Sequence, residues 1–244
     1  TDVLEQEIQL IRQEGVNIHL NTEVGRDISF ALLREEYDAV YLATGTQFPN
    51  LVGVPGEGLK GVYHGLPFLK DIHFGKRMKV GKKVTVIGGG STAMDAARSA
   101  IRLGAQNVTV LYRRTVDDMP ADRREIEEGL EEGVKIMELV APVRFIGDEK
   151  DRVVGVECVR MELGEYDSNG RRKPKKAPGS EFVLETDMVI PAVSQHADFP
   201  FIPKDEVELT AWGTMVTQKH NLMTSIDGVF AGGDLARGSD TAIA

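Results

Sequence analysis

Val84-Thr85-Val86-Ile87-Gly88-Gly89-Gly90-Ser91-Thr92-Ala93-Met94-Asp95-Ala96-Ala97-Arg98 decides how this chain is read. Four residues of β-branched-rich strand run straight into G-x-G-x-x-A and then into a helical pattern. Gly88 permits the tight turn. Gly90 carries no Cβ, so a pyrophosphate can come up against the backbone, and Ala93 is small enough for the helix to pack on the strand. The free N–H groups of the helix start then face the phosphates. Alone, such a glycine pattern is only a turn between a strand and a helix. Here a second strand, Asn107-Val108-Thr109-Val110-Leu111-Tyr112, follows at the spacing of a βαβ unit, so the context is that of a dinucleotide site.

The end of that second strand says which dinucleotide. An NAD site places Asp or Glu there, to accept hydrogen bonds from the ribose hydroxyls. This chain has Arg113 and Arg114, whose guanidinium groups suit a 2′-phosphate. The expected cofactor is therefore NADP(H). Asp117 and Asp118 follow closely and stand against that assignment unless they turn away.

The chain has 244 residues, room for one large domain or two small ones, and a formal net charge of −9. That acidity argues against nucleic acid as a partner. No apolar run is long enough to span a membrane and the start does not read as a signal peptide, so a cytoplasmic protein is expected. Cys158 is the only cysteine. It sits in a strand pattern, reads as a buried structural thiol, and can form neither a C-x-x-C pair nor an iron–sulfur cluster by itself. His19, His64, His73, His196 and His220 show no metal-ligand spacing, so no metal site is expected.

Outward from the central motif, strand and helix alternate over residues 84–138, which predicts a parallel sheet buried by helices. Further strands are expected at residues 143–146, 153–161 and 187–192. Arg171, Arg172, Lys173, Lys175 and Lys176 lie between strands with Gly170, Pro174 and Pro178, and read as a solvated hairpin tip. Towards the N-terminus, Thr1 caps a helix to about Glu14, residues 16–20 read as a strand, and Ser29 caps a short helix. Residues 38–43 then form a buried strand ending at Thr44-Gly45. A Pro- and Gly-rich stretch with Pro49, Gly53, Pro55, Gly56 and Gly58 reads as a domain crossing. Near the C-terminus, Gly228-Val229-Phe230-Ala231-Gly232-Gly233-Asp234 is a short strand ending in a glycine turn and an aspartate, and Gly238 onwards reads as a helix start.

Taken together, these segments resemble the glutamate synthase small subunit and its relatives among the flavoproteins with two dinucleotide-binding domains. Ala43-Thr44-Gly45 matches the A-T-G turn of that family. Residues 86–95 match its NADPH site, with Ser91 where Asn is usual. Tyr112-Arg113-Arg114 and Met119-Pro120-Ala121 match the segment after the second strand, and residues 228–234 match the FAD-binding G-V-F-A-x-G-D. The fold implied is α/β: a Rossmann-like NAD(P)-binding domain, with a parallel sheet, helices and a β-rich extension, inserted in a partial FAD-binding domain. Residues 1–61 and 198–244 would be two pieces of the FAD domain and residues 62–197 the NADPH domain. The family's first FAD segment does not appear before Thr1, which implies a piece of a longer polypeptide, inactive and nearly free of FAD in isolation. Ser194, in Ala192-Val193-Ser194-Gln195, replaces a usual Gly beside the nicotinamide.

Hydride transfer from nicotinamide to flavin depends on alignment more than on an acid or base, so no catalytic side chain is expected. Gly88, Gly90, Ser91, Thr92 and Ala93 would hold the pyrophosphate and Arg113 and Arg114 the 2′-phosphate, with Ala192 on the nicotinamide side. By the resemblance, Thr44, Gly45, Gly233 and Asp234 border the FAD, and the N–H groups of Thr241, Ala242 and Ile243 face the flavin. The resemblance implies an iron–sulfur or large-subunit electron-transfer partner without identifying the acceptor. A dinucleotide-binding module without turnover, and another flavoenzyme of the same architecture, stay open as alternatives. The missing C-x-x-C disfavours a disulfide reductase.

Overall fold

The computed structural model describes residues 2–166 and 172–238. Thr1, Gly170, Arg171 and the predicted helix start at Thr241, Ala242 and Ile243 lie outside them. In chain order the elements begin with helices α1 (Asp2–Gln13) and α2 (Phe30–Glu36), strands β1 (Val40–Leu42) and β2 (Phe48–Pro49), and helix α3 (Gly65–His73). The central run is β3 (Lys83–Ile87), α4 (Ser91–Arg102), β4 (Asn107–Tyr112), α5 (Arg123–Glu131) and β5 (Lys135–Glu138). There follow β6 (Val140–Gly147), β7 (Val153–Tyr166), β8 (Arg172–Lys176), β9 (Phe182–Glu185), β10 (Met188–Pro191), β11 (Gln195–His196), β12 (Val229–Ala231) and α6 (Asp234–Arg237).

Two compact units form: Thr1–Gly45 with Ala197–Ala244, and Thr46–His196. The second contains the parallel sheet β10-β3-β4-β5, in which every neighbouring pair runs parallel. β3, β4 and β10 are covered on both faces, as their nearly continuous apolar runs require, and β5 forms the edge. Val84, Val86, Val108, Val110, Met188 and Ile190 face α3 and α4. Ile87, Leu111 and Val189 face the antiparallel layer β6-β7-β9. On the far side of α4, Met94 packs with Tyr112, Met119 and Ile126. Helix α5 starts where its sequence says: Asp122 accepts from the Arg124 amide at 2.8 Å, and Glu125 closes a capping box.

Residues 46–61, grouped with the first piece in the sequence reading, pack within the second unit. Val52, Val54 and Leu59 join its core, and Phe145 donates its amide to the Pro55 carbonyl at 2.8 Å. Gly56 has φ +92° and lies against the Phe145 backbone, so the loop reaches the sheet layer only because no side chain stands there. The second unit ends at His196.

The first unit is built differently. Its only sheet among the described residues is β1 parallel to β12, with Leu42 opposite Ala231. Its core draws on Phe199, Ile202, Val207 and Met215, all outside strands and helices, together with Phe30 and Leu235. Ser29 caps α2 as expected, its hydroxyl accepting from the Leu32 amide at 3.1 Å.

Several elements differ from expectation, three of them instructively. Residues 16–20 form no strand: they are exposed and pair with nothing among the described residues, and a strand exists only by pairing. The basic run after residue 171 is not a turn but strand β8, because β7 extends to Tyr166 and its far half needs a partner. Pro174 is tolerated in it, as on an edge strand. Helix α3, which the sequence reading passed over, buries Phe68 at 1% exposure.

Candidate functional site: strand-end turns in each unit

Parallel strands end on one side, and ligands of open α/β sheets bind at those carboxyl ends where the strand order reverses. Here β3 runs into α4 and is flanked by β4 on one side and β10 on the other. Gly88–Gly90, Arg113, Arg114 and Ala192 follow β3, β4 and β10 respectively, so the sheet brings together candidates that lie as much as a hundred residues apart in sequence.

The turn after β3 is shaped for close approach. Gly88 has φ +144°, and a Cβ there would collide with the Ala192 carbonyl. The Ala192 amide donates to Ile87 at 2.7 Å, fixing that edge of the turn. At Gly90 a Cβ would find only Pro120, at 3.9 Å, so the space above the turn is open. Gly90 offers no side-chain cap to α4. The amides of Gly89, Gly90, Ser91 and Thr92 donate to no acceptor among the described residues, and their partial positive charge is left for an anion. Ala93 is wholly buried, consistent with its packing role. These features fit a pyrophosphate.

Some supporting residues were not singled out from sequence as site candidates. A Cβ at Gly89 would strike the Tyr112 ring at 2.5 Å, and the Ala121 amide donates to the Gly89 carbonyl at 3.1 Å. The middle glycine therefore lets β4 and the Met119-Pro120-Ala121 segment close under the turn. The run of three glycines was the available signal. At the start of α3, a Cβ at Gly65 would lie 3.0 Å from Ala192 Cβ and 3.1 Å from Thr92 Cγ2. The ends of α3, α4 and β10 thus meet.

Arg113 and Arg114 diverge. Arg113 is exposed, with no hydrogen bond or ion pair among the described residues. Arg114 is buried at 7% exposure and donates its Nε to the Arg172 carbonyl at 2.8 Å. The two acids that follow are engaged locally. Asp117 meets Arg123 at 3.0 Å, and Asp118 accepts from the Thr115 hydroxyl at 2.7 Å. On α4, burial raises the Asp95 carboxyl above its ordinary value, with Glu125 adding to the effect. Ser194, which replaces a glycine of the resemblance, introduces no left-handed backbone. Its hydroxyl accepts from Asn50 Nδ2 at 2.6 Å, and Asn50 Oδ1 meets His196 Nδ1 at 2.8 Å, joining β2 to β11.

In the first unit, β1 and β12 end side by side, with Gly232 donating to Leu42 at 3.2 Å. The Ala43-Thr44-Gly45 and Gly232-Gly233-Asp234 turns are therefore neighbours. Gly233 has φ +60° and ψ −149°, a conformation restricted to glycine, and begins α6 at Asp234. Gly45 has φ +67° with open space where a Cβ would stand. Thr241, Ala242 and Ile243 lie outside the described residues. Cys158 is buried, and desolvation pushes its thiol up to about 12. Among the described residues no group of His, Cys, Asp or Glu is arranged to hold a metal, and no helix is long and apolar enough to cross a membrane.

Comparison with known proteins agrees with this architecture. Residues 4–244 match the family model described as pyridine nucleotide-disulphide oxidoreductase. The chain is 43% identical to the NADPH-Fe(3+) oxidoreductase subunit beta of Geobacter sulfurreducens, over 99% of this chain and 40% of that protein. It is 39% identical to the glutamate synthase [NADPH] small chain of Azospirillum brasilense, over 99% of this chain and 52% of that one. The chain thus spans about half or less of these relatives. Among solved structures, FprA of Mycobacterium tuberculosis in complex with NADPH superposes with a TM-score of 0.73 at 20% identity, covering 91% of this chain and 63% of that one, a likeness of fold. With the motifs, the parallel sheet and the family match in agreement, the chain belongs to the pyridine nucleotide-disulphide oxidoreductase family.

Proposed function

We propose that this chain is the NADPH-binding portion of a flavoprotein oxidoreductase that passes hydride from NADPH to FAD and electrons on to an iron–sulfur or large-subunit partner. The observation that carries this reading is the open, uncapped turn at Gly88–Gly90 beside an arginine pair at the end of β4. The names of the similar proteins support it: NADPH-Fe(3+) oxidoreductase, NADP(+)-dependent formate dehydrogenase and glutamate synthase [NADPH]. A cytoplasmic location goes with this reading.

The residues have distinct tasks in it. The amides of Gly90, Ser91 and Thr92 hold the pyrophosphate, and Arg113 meets the 2′-phosphate. Ala192 and Thr92, with the start of α3, border the nicotinamide end. In the other unit the Thr44-Gly45 and Gly233-Asp234 turns hold the flavin nucleotide, with Asp234 accepting from its hydroxyls. When bound, the nicotinamide supplies a hydride and the flavin accepts it. The chain contributes position and the exclusion of misaligned encounters, with no side chain acting as acid or base.

Calorimetric titration with NADPH and NADH tests the proposal. A charge-assisted contact contributes about 1.5–3 kcal/mol, so NADPH should bind about tenfold more tightly or better. Equal affinities would remove the NADP assignment.

A further inference from the structure

Five arginines of the second unit hold a carboxylate: Arg98 and Arg102 with Glu132, Arg123 with Asp117, Arg144 with Glu157, Arg152 with Asp148. Strand β8 gathers four basic side chains that hold none among the described residues. Arg172, Lys173, Lys175 and Lys176 are exposed and form no ion pair among the described residues, in a chain of net charge −9. Arg172 turns back on its own hairpin, donating to the carbonyls of Leu163 at 2.6 Å and Gly164 at 3.1 Å, bonds that leave its charge uncompensated. Glu162 lies opposite Lys175 in register without pairing to it.

This charge is fastened to the end of β4. Arg114 Nε holds the Arg172 carbonyl at 2.8 Å. A backbone path runs beside it: Leu139 donates to the Arg114 carbonyl at 3.0 Å, Met161 donates to the Leu139 carbonyl at 2.7 Å, and Met161 pairs with Lys176. Leu139 adopts φ +53°, a left-handed conformation that a leucine keeps only where its surroundings fix it. The junction is therefore a built one. The nearby acids are occupied: Glu138 takes the Val116 amide, Asp118 accepts from the Thr115 hydroxyl and Asp117 holds Arg123.

We propose that strand β8 is a second, electrostatic part of the 2′-phosphate subsite, with Arg114 the positioning residue that holds it beside Arg113. The proposal rests on the NADPH reading above and divides the arginine pair. Arg113 touches the phosphate. Arg114 acts through β8, whose lysines add a positive potential reaching about one Debye length, roughly 10 Å at 0.1 M salt. The 2′-phosphate is the part of NADPH that NADH lacks, so this potential discriminates between the two cofactors.

The test uses the full chain and the triple variant Lys173→Gln, Lys175→Gln, Lys176→Gln. These side chains are exposed, so folding is not at stake. Dissociation constants for NADPH and NADH are measured by calorimetry at low and high salt. The expected result is NADPH binding weakened about five- to tenfold at low salt, NADH binding changed less than about twofold, and the gap closing at high salt. Arg114→Gln should reproduce the NADPH loss with Arg113 intact, and Arg114→Lys should restore part of it. A chain that prefers NADPH and keeps the full preference in the triple variant, or a variant that loses both cofactors alike, overturns the proposal alone. A parent chain that binds both cofactors equally overturns the NADPH reading and this proposal with it.

Discussion

The two glycine turns at strand ends, Gly88–Gly90 in one unit and Gly232–Asp234 in the other, are similar in sequence and unlike in support. The first is held from below and beside: by Ala192 of the neighbouring strand end, by the Tyr112 ring under Gly89, and by two layers that bury β3 on both faces. The second ends a strand of three residues with one partner, and Tyr41 beside it on β1 is 57% exposed. A parallel pair gains little from its own hydrogen bonds, so the first unit depends on side chains from irregular segments. A cofactor turn is as rigid as the packing behind it, and among the described residues only the first is backed by a sheet covered on both faces.

The largest effect should come from Gly88→Val. The left-handed backbone and the collision with the Ala192 carbonyl together cost about 3 kcal/mol or more, and NADPH binding should vanish. Urea unfolding with a parallel titration checks both; near-normal stability would mean the turn is looser than it looks. Next, Phe68→Ala should cost about 3–5 kcal/mol, since Phe68 is 1% exposed between α3 and the sheet. Phe30→Ala in the first unit, at 6% exposure, should cost less and leave the transition of the second unit in place. Two separable melting steps would sharpen the contrast, and one shared step shifted equally by both changes would break it.

Hydrogen exchange carries the same comparison to single amides. Val84–Ile87, Val108–Tyr112 and Met188–Ile190 should exchange about a hundredfold more slowly than Val40–Leu42 and Val229–Ala231. The reverse order would show that the irregular core is the firmer one. Cys158 provides a chemical readout of the second unit. With its thiol at about 12, only about one molecule in ten thousand is thiolate at pH 8, so disulfide reagents should label it only through opening. The raised value also has a pH consequence. The protonated thiol's contribution is complete below the ordinary value of 9.0 and is lost as pH rises from there to about 12, so thermal stability of this unit should fall across that window. The smallest effects should be the caps: Ser29→Ala and Asp122→Ala each remove one N-terminal acceptor, at about 1 kcal/mol, and each should move only its own unit.

Legibility followed locality. The β3-turn-α4 motif, the Ser29 cap and the buried runs of β4 and β10 could be read because each signal lies within one element and its neighbours. The sequence reading groups residues 46–61 with the first piece, since proline and glycine mark a loop without saying what it packs on; Leu59 and Phe145 place them in the second unit. Residues 16–20 have a strand's composition, but pairing is a property of two segments and none of the described ones pairs with them.

What the sequence determined by itself is the dinucleotide turn, the alternating architecture around it and the family to which the chain belongs, because glycine spacing and apolar periodicity are backbone requirements written residue by residue. Tertiary structure alone decided how the arginine pair is shared out. Two adjacent guanidinium groups look equivalent in Tyr112-Arg113-Arg114. Successive side chains at a strand end point to opposite sides. One therefore meets solvent, and the other meets a hairpin carbonyl contributed from 58 positions along the chain.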